Sequence, residues 1–184
     1  MDTPSQTEGD KPDFITDVRF SGSIGSKEKI KNLLSHTVVG TRWPIQTSLY
    51  HSKRVEKELR EYFDQVKPDV LFIDMIRLAP YINGFEKDTC KKILIMEDDL
   101  AKRYQVQLKS LSSSTNVMGM YQKNASKLMT ALTQPKWMKK FVLNYEIPRV
   151  EKAEKDYISF FDYVTFISPI EKEKFNQRNS TDKG

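Results

Sequence analysis

Three short apolar runs in this chain are each followed at once by residues able to grip a polar ligand. Asp74 and Arg77 come after Val70-Leu71-Phe72-Ile73. Glu97, Asp98 and Asp99 come after Ile93-Leu94-Ile95-Met96, and Ser168 and Glu171 after Tyr163-Val164-Thr165-Phe166-Ile167. Arg77 can hold a phosphate or carboxylate through two parallel N–H donors, a geometry that lysine lacks. The acids after the second run can accept hydrogen bonds from sugar hydroxyls, and Arg103 and Tyr104, one helical turn further on, can face the same place. Ser168-Pro169-Ile170-Glu171 has the form of a capping box with proline at the first helical position, so the helix it opens can point its N-terminus at an anion. Each group also has a plainer reading. Asp74 and Arg77 can form a local ion pair, the acids can be solvated or cap a helix from Leu100, Arg103 and Tyr104 can lie on an exposed helix face, and Ser168 can be a cap and nothing more.

Other chemistries lack their residues. No Ser-His-Asp set, phosphate-loop signature or metal-ligand spacing is present. A single cysteine, Cys90, rules out an internal disulfide. With only two histidines, His36 and His51, a Cys/His metal cage is not expected, and no cofactor is. Both histidines fall outside the strand ends, and neither is assigned a catalytic role; no catalytic residue is assigned anywhere.

The elements that must position these residues follow from the pattern. Ser26 offers an N-cap to a short helix with Ile30, Leu33 and Leu34 on one face. The stretch from His36 to Tyr50, with Gly40 and Pro44, reads as a surface loop. A longer helix is expected from Ser48, with Tyr50, Val55, Leu59, Tyr62, Phe63 and Val66 close to one face, stopping at Lys67-Pro68. The three apolar runs read as buried strands with both faces apolar, as in a parallel sheet covered by helices on each side. Between the first two, Leu78 to Tyr81 starts a short element broken by Asn83-Gly84. Between the last two lies a long helical insertion. Residues 99–111 look helical, 112–116 form a polar loop, helix resumes near Tyr121, and a long pattern runs from Pro135 towards Phe161 with a kink at Pro148. Glu151, Lys152, Glu154 and Lys155 on it are spaced for exposed pairing.

The chain has 184 residues and 38% hydrophobic content, enough for one ordinary core. No apolar run approaches the roughly 18–20 residues of a spanning helix, and the polar N-terminus MDTPSQTEGDKPD is no secretory signal, so a cytoplasmic setting is expected. The net charge of +5 suits nucleic acid, an anionic membrane or phosphorylated ligands, yet lysines interleaved with acids equally suit plain solubility. Without a basic-aromatic stripe or known motif, nucleic acid is not expected as a partner.

Two segments imitate a phosphorylation receiver: KKILIMEDDL its acidic first strand and KPDVLFIDMIRLAP its phosphoacceptor strand. Asp74 would then accept phosphate, and Asp98 and Asp99 would hold magnesium. The order is reversed, since receivers place the acidic pair first. A receiver-like or other Rossmann-like signalling module therefore stands as the alternative.

PDVLFIDMIRLAPY, KKILIMEDDLAKRY and NYEIPRVEKAEKDYISFFDYVTFISPIEKEKF, taken in succession, resemble the N-terminal domain of family-four-type GT-B glycosyltransferases. Asp162-Tyr163-Val164-Thr165-Phe166-Ile167-Ser168, followed by Glu171, matches best, and the resemblance spans about residues 48–178. It implies an α/β fold with a Rossmann-like parallel sheet, an incomplete GT-B N-terminal domain carrying a long helical insertion. It implies transfer of a sugar from a nucleotide-sugar to a glycan or lipid-linked acceptor, without an obligatory metal. Asp74, Arg77, Glu97, Asp98, Arg103, Ser168 and Glu171 would be acceptor-binding. The opening strand and glycine-rich loop of such a domain are not found before Phe14, and the paired glutamates that grip the donor are not found at all. The chain therefore reads as a fragment: a disordered tail over 1–12, a partial domain over 13–178 and a flexible end over 179–184. Nucleotide-sugar would bind only through a C-terminal domain not in this sequence. Lys136, Trp137, Met138, Lys139, Lys140 and Phe141 form a basic, aromatic helix start. It can lie peripherally on the inner membrane face or pack its two rings into the core.

Overall fold

The computed structural model describes residues 14–15, 17–40, 43–112 and 135–183. The expected tail over 1–12 and the helix near Tyr121 lie outside these described residues. In chain order the elements are helix α1 (Ser26–Asn32) running into a π-helical turn (Leu33–Val39), α2 (Ile45–Tyr50), α3 (Lys53–Val66), strand β1 (Val70–Asp74), a 3-10 helix (Ile76–Gly84), β2 (Lys91–Ile95), α4 (Leu100–Ser112), α5 (Lys136–Ile158), β3 (Tyr163–Thr165) and α6 (Pro169–Asn179).

The protein is α/β, with a small open sheet of three parallel strands in the order β1-β2-β3. Phe72 lies beside Ile93 and Ile93 beside Tyr163; Asp74 lies beside Ile95 and Ile95 beside Thr165. The ladder continues past the strands, where the Met75 and Met96 amides donate to the Ile95 and Thr165 carbonyls at 2.8 Å each. At the other end Asp162 pins the start of β3 to β2. Its carboxylate accepts from the Lys92 amide at 2.8 Å and pairs with the Lys91 ammonium at 3.2 Å. That amide, followed by the lysine, holds the Asp162 carboxyl below the usual range.

Ile73, Leu94 and Val164 project from one face of the sheet into a core shared with Ile82 and Phe85 of the β1–β2 connection, Leu100 and Ala101 of α4, Val150 and Ile158 of α5, and Phe175 of α6. The opposite face is not covered by any described element, contrary to the expectation of two covered faces. Phe72 is 59% exposed, Tyr163 55% and Ile167 80%. The strands therefore alternate in burial, as half-covered strands do, although their residues on both faces are apolar.

Several local expectations change in the folded chain. Gly25, not Ser26, precedes α1, and Ile30 and Leu34 are exposed while Asn32 is buried and donates to the His51 carbonyl at 2.7 Å. The stretch read as a loop contains the π-helical turn and α2. The helix expected from Ser48 is broken at His51-Ser52, and α3 starts only at Lys53. It ends as expected, with Lys67 left-handed at φ 49° and Pro68 barring continuation. Pro148 lies within a continuous α5 of 23 residues. Glu154 is not on an exposed face at all: it is fully buried and bonded to Arg178.

Because the two sheet faces differ in cover, truncations on them should differ in cost. Leu94→Ala should lower unfolding stability by about 2–5 kcal/mol, and Phe72→Ala by less than about 1 kcal/mol. Urea denaturation reads both, and equal costs would mean that both faces are packed.

Candidate functional site

Ligands of open parallel sheets bind beyond the carboxyl ends of the strands. There β1 passes into the 3-10 helix through Met75, whose φ of 70° and ψ of 141° is a conformation that a side-chain-bearing residue avoids. It costs about 1–3 kcal/mol, of the kind retained at ligand sites. The strained turn aims Arg77 away from Asp74. Its guanidinium donates to the Gln46 side-chain carbonyl at 3.4 Å and to the Met75 sulfur, and it lies 4.9 Å over the Tyr50 ring. Gln46 in turn donates to the Tyr104 hydroxyl at 3.0 Å.

On the next strand end Asp98 pairs with Arg103 at 2.5 Å. Burial raises the Tyr104 hydroxyl pKa, and the charges of Glu146, Arg103, Arg77 and Asp98 all act on it. Gln46 thus links Arg77 to the Tyr104 hydroxyl, while the Asp98–Arg103 pair and Glu146 act on that hydroxyl through their charge. Glu146 is buried and accepts from the Ile45 amide at 2.8 Å. Among the described residues Arg77 has no carboxylate partner, and its two acceptors are weak ones. The cluster can therefore exchange them for the oxygens of an anion, while Asp98 and Gln46 accept from hydroxyls.

The other residues singled out in the sequence lie elsewhere on the same rim. Asp74 ends β1 on the uncovered face and forms no ion pair with Arg77, so the local pair is not what holds that turn. Glu97 is exposed beyond β2. Asp99 is buried, caps α4 by accepting from the Lys102 amide at 2.8 Å, and pairs with Arg178 at 2.6 Å. Ser168 caps α6, its hydroxyl accepting from the Glu171 amide at 3.4 Å; both stand past β3, on the far side of β2 from Arg77. Gln46, Tyr50, Met75 and Glu146 were not picked out from the sequence. Gln46 sits in a stretch read as a loop, Tyr50 was read as part of the apolar face of a helix from Ser48, and nothing local marks a positive φ at a methionine.

Two surface depressions lie away from this cluster. One, of about 480 Å³, runs along Pro169, Lys172, Asn176 and Thr181. The other, of about 390 Å³, is lined by Arg60, Asp64, Asp88 and Cys90 at the amino ends of the strands, where Arg60 is already held by both aspartates. His36, Trp43, His51 and Tyr81 form a run of ring contacts with centroids 4.3–5.2 Å apart, which packs α2 against the 3-10 helix. Among the described residues no three His, Cys, Asp or Glu side chains group as a metal site would need, and no helix is long and apolar enough to cross a membrane. Comparison with protein-family models, curated proteins and solved structures finds no match to this chain.

Burial raises the Glu146 carboxyl to about 7, against a smaller pull from the Ile45 amide. A carboxyl raised in the folded state contributes stability that is complete below its ordinary pKa and lost as pH rises through about 7. His36 and His51, lowered chiefly by burial, act in the opposite sense, with stability lost as pH falls. The wild-type pH curve therefore mixes both. The difference between Glu146→Gln and wild type isolates the carboxyl, since glutamine keeps an acceptor for Ile45. Urea midpoints should show the variant gaining on wild type as pH rises from about 5 to 8; a constant difference would mean that Glu146 is already ionised when folded.

Proposed function

We propose that this chain is the acceptor side of a GT-B-type glycosyltransferase, which moves a sugar from a nucleotide-sugar to a glycan or lipid-linked acceptor. The nucleotide-sugar would be held by a second domain that this sequence does not contain. The observation that carries the reading is the Arg77–Gln46–Tyr104 chain of contacts at the carboxyl ends of parallel strands, beside the strained Met75 and with the Asp98–Arg103 pair at the next strand end. The resemblance of residues 48–178 to such N-terminal domains supports it.

In this reading the chain binds and orients. Arg77, resting on an amide oxygen and a sulfur, takes a phosphate or carboxylate of the acceptor through paired charge-assisted bonds. Gln46 and Asp98 accept from its hydroxyls, Arg103 holds Asp98 in place, and the Tyr50 ring offers a flat apolar wall. The attacking hydroxyl is thereby held towards the donor, which is the entropic part of catalysis. Asp74, Glu97, Ser168 and Glu171 would extend the same acceptor rim along the sheet.

Binding to the isolated chain tests this. Titration with phosphorylated sugars should shift the side-chain resonances of Gln46 and Arg77, and Arg77→Ala should weaken that binding at least about tenfold with an unchanged circular dichroism spectrum. Shifts confined to the depression around Arg60 and Asp88 would move the site and defeat the reading. Calorimetry with uridine- or guanosine-diphosphate sugars should show no tight binding, because the donor contacts are assigned elsewhere. Tight binding of either would overturn the assignment of this chain to the acceptor side.

A further inference from the structure

The first turns of α5 leave their aromatic side chains in water. Trp137 is 68% exposed and Phe141 65%. One turn apart on one face, they form a single apolar patch, and the same exposed face continues through Asn144 to Pro148. Lys136 and Lys140 are exposed beside it, and Lys139 is half-buried on the opposite side of the helix. The alternative in which these rings pack into the core is thus not what the fold does. None of the three lysines has an ion-pair partner among the described residues, and no acid occurs on α5 before Glu146, whose carboxylate is turned inward to Ile45.

Along the sequence the positive charge is not evenly spread. Residues 100–145 contain eight of the chain's 30 lysines and arginines and none of its 25 acids, so the rest, with 22 basic and 25 acidic residues, is net negative. The whole positive excess is carried by the stretch that ends in Trp137, Phe141 and their lysines. Two exposed aromatic rings flanked by lysines without an ion-pair partner among the described residues are complementary to one kind of surface, an apolar layer beneath negative headgroups. A nucleic acid would use the same charge. Ring stacking on bases, however, calls for aromatics spread along a groove, whereas these two sit one above the other on a convex helix.

We propose that the exposed face of α5, centred on Trp137 and Phe141 and flanked by Lys136 and Lys140, docks on an anionic lipid bilayer. The helix lies in the interface with both rings below the headgroups and the lysines at headgroup level. Such a contact would suit a lipid-linked acceptor. It does not depend on that reading, because binding to sugar-free vesicles decides it.

Sedimentation of the whole chain with phosphatidylcholine vesicles, and with phosphatidylcholine–phosphatidylglycerol vesicles, tests the docking. Binding is expected on the anionic vesicles and should fall as salt is raised, with little on the neutral ones. The double variant Trp137→Ser, Phe141→Ser should abolish it. Lys136→Gln with Lys140→Gln should weaken it at least about tenfold, since each lysine near a strongly anionic surface contributes roughly fivefold. All four positions are exposed, so the variants should keep the wild-type circular dichroism spectrum. Iodide should quench Trp137 in the free chain and fail to do so on anionic vesicles. Absence of binding to anionic vesicles would overturn the proposal, as would binding that survives loss of both rings. So would a single-stranded oligonucleotide that binds more tightly than the vesicles and depends on the same two rings.

Discussion

Arg178, on the last helix, donates to Asp99 at 2.6 Å and to Glu154 on α5, and both carboxylates are withdrawn from water. Three helices meet on this one guanidinium. Two buried acids around a single cation leave a surplus negative charge, and burial together with that crowding raises Glu154 to about 7. Burial works against the Arg178 charge, and the flanking carboxylates of Asp99 and Glu154 together outweigh it and raise the guanidinium pKa. Removing one member of such a set strands a buried charge, at about 3–5 kcal/mol. The consequence reaches the site because Asp99 is also the N-cap of α4. The direction in which α4 leaves the sheet is fixed by a residue 79 positions later in the chain, and Arg103 and Tyr104 stand in the first turns of that helix.

Among the described residues, the sheet that these helices cover is one-sided. Parallel strands normally carry helices on both faces, since their crossover connections place them there. Here the described helices that contribute to the core pack against the Leu94 face, while Phe72, Ile93 and Tyr163 form an apolar row across all three strands on the other. The register makes that row continuous, with Phe72 and Tyr163 exposed at its ends and Ile93 half-buried between them. β1 is an edge strand as well. Asp74, at the end of β1 on this open side, is thereby separated from Arg77, which the Met75 turn carries to the covered side.

That turn is where the fold accepts strain. Met75 keeps its ladder bond to Ile95 while its own dihedrals reverse the chain, and the adjoining 3-10 helix brings Arg77 under α2. The result is an arginine lodged against an amide oxygen, a sulfur and an aromatic ring, close to an aspartate that another arginine already occupies. Charge of both signs is gathered around one tyrosine hydroxyl without being fully neutralised at Arg77. That residual capacity is what a polar, anionic ligand can use.

Much of this was legible in the residue order because it depends on neighbours. The apolar runs at 70–73, 93–96 and 163–167 announced strands, Pro68 stopped α3, and Ser168 with Glu171 announced the cap of α6, all effects that act within a few residues. The parallel direction was read from strands with apolar residues on both faces, and the three strands are parallel. Which face of the sheet stayed open did not, because both faces carry apolar side chains and only the packing of α4, α5 and α6 distinguishes them. Nor did the burial of Glu154, which looked like one charge among several on a solvated helix until Arg178 returned to meet it. Gln46 lay in a stretch with turn residues and no clear period, and it becomes part of the site only through Tyr104, 58 positions away. Glu146 acquires its partner across 101. The sequence by itself determined the elements and the residue types at their ends. Only the tertiary structure decided which of those residues meet, because burial and pairing are set by segments that local forces cannot bring together.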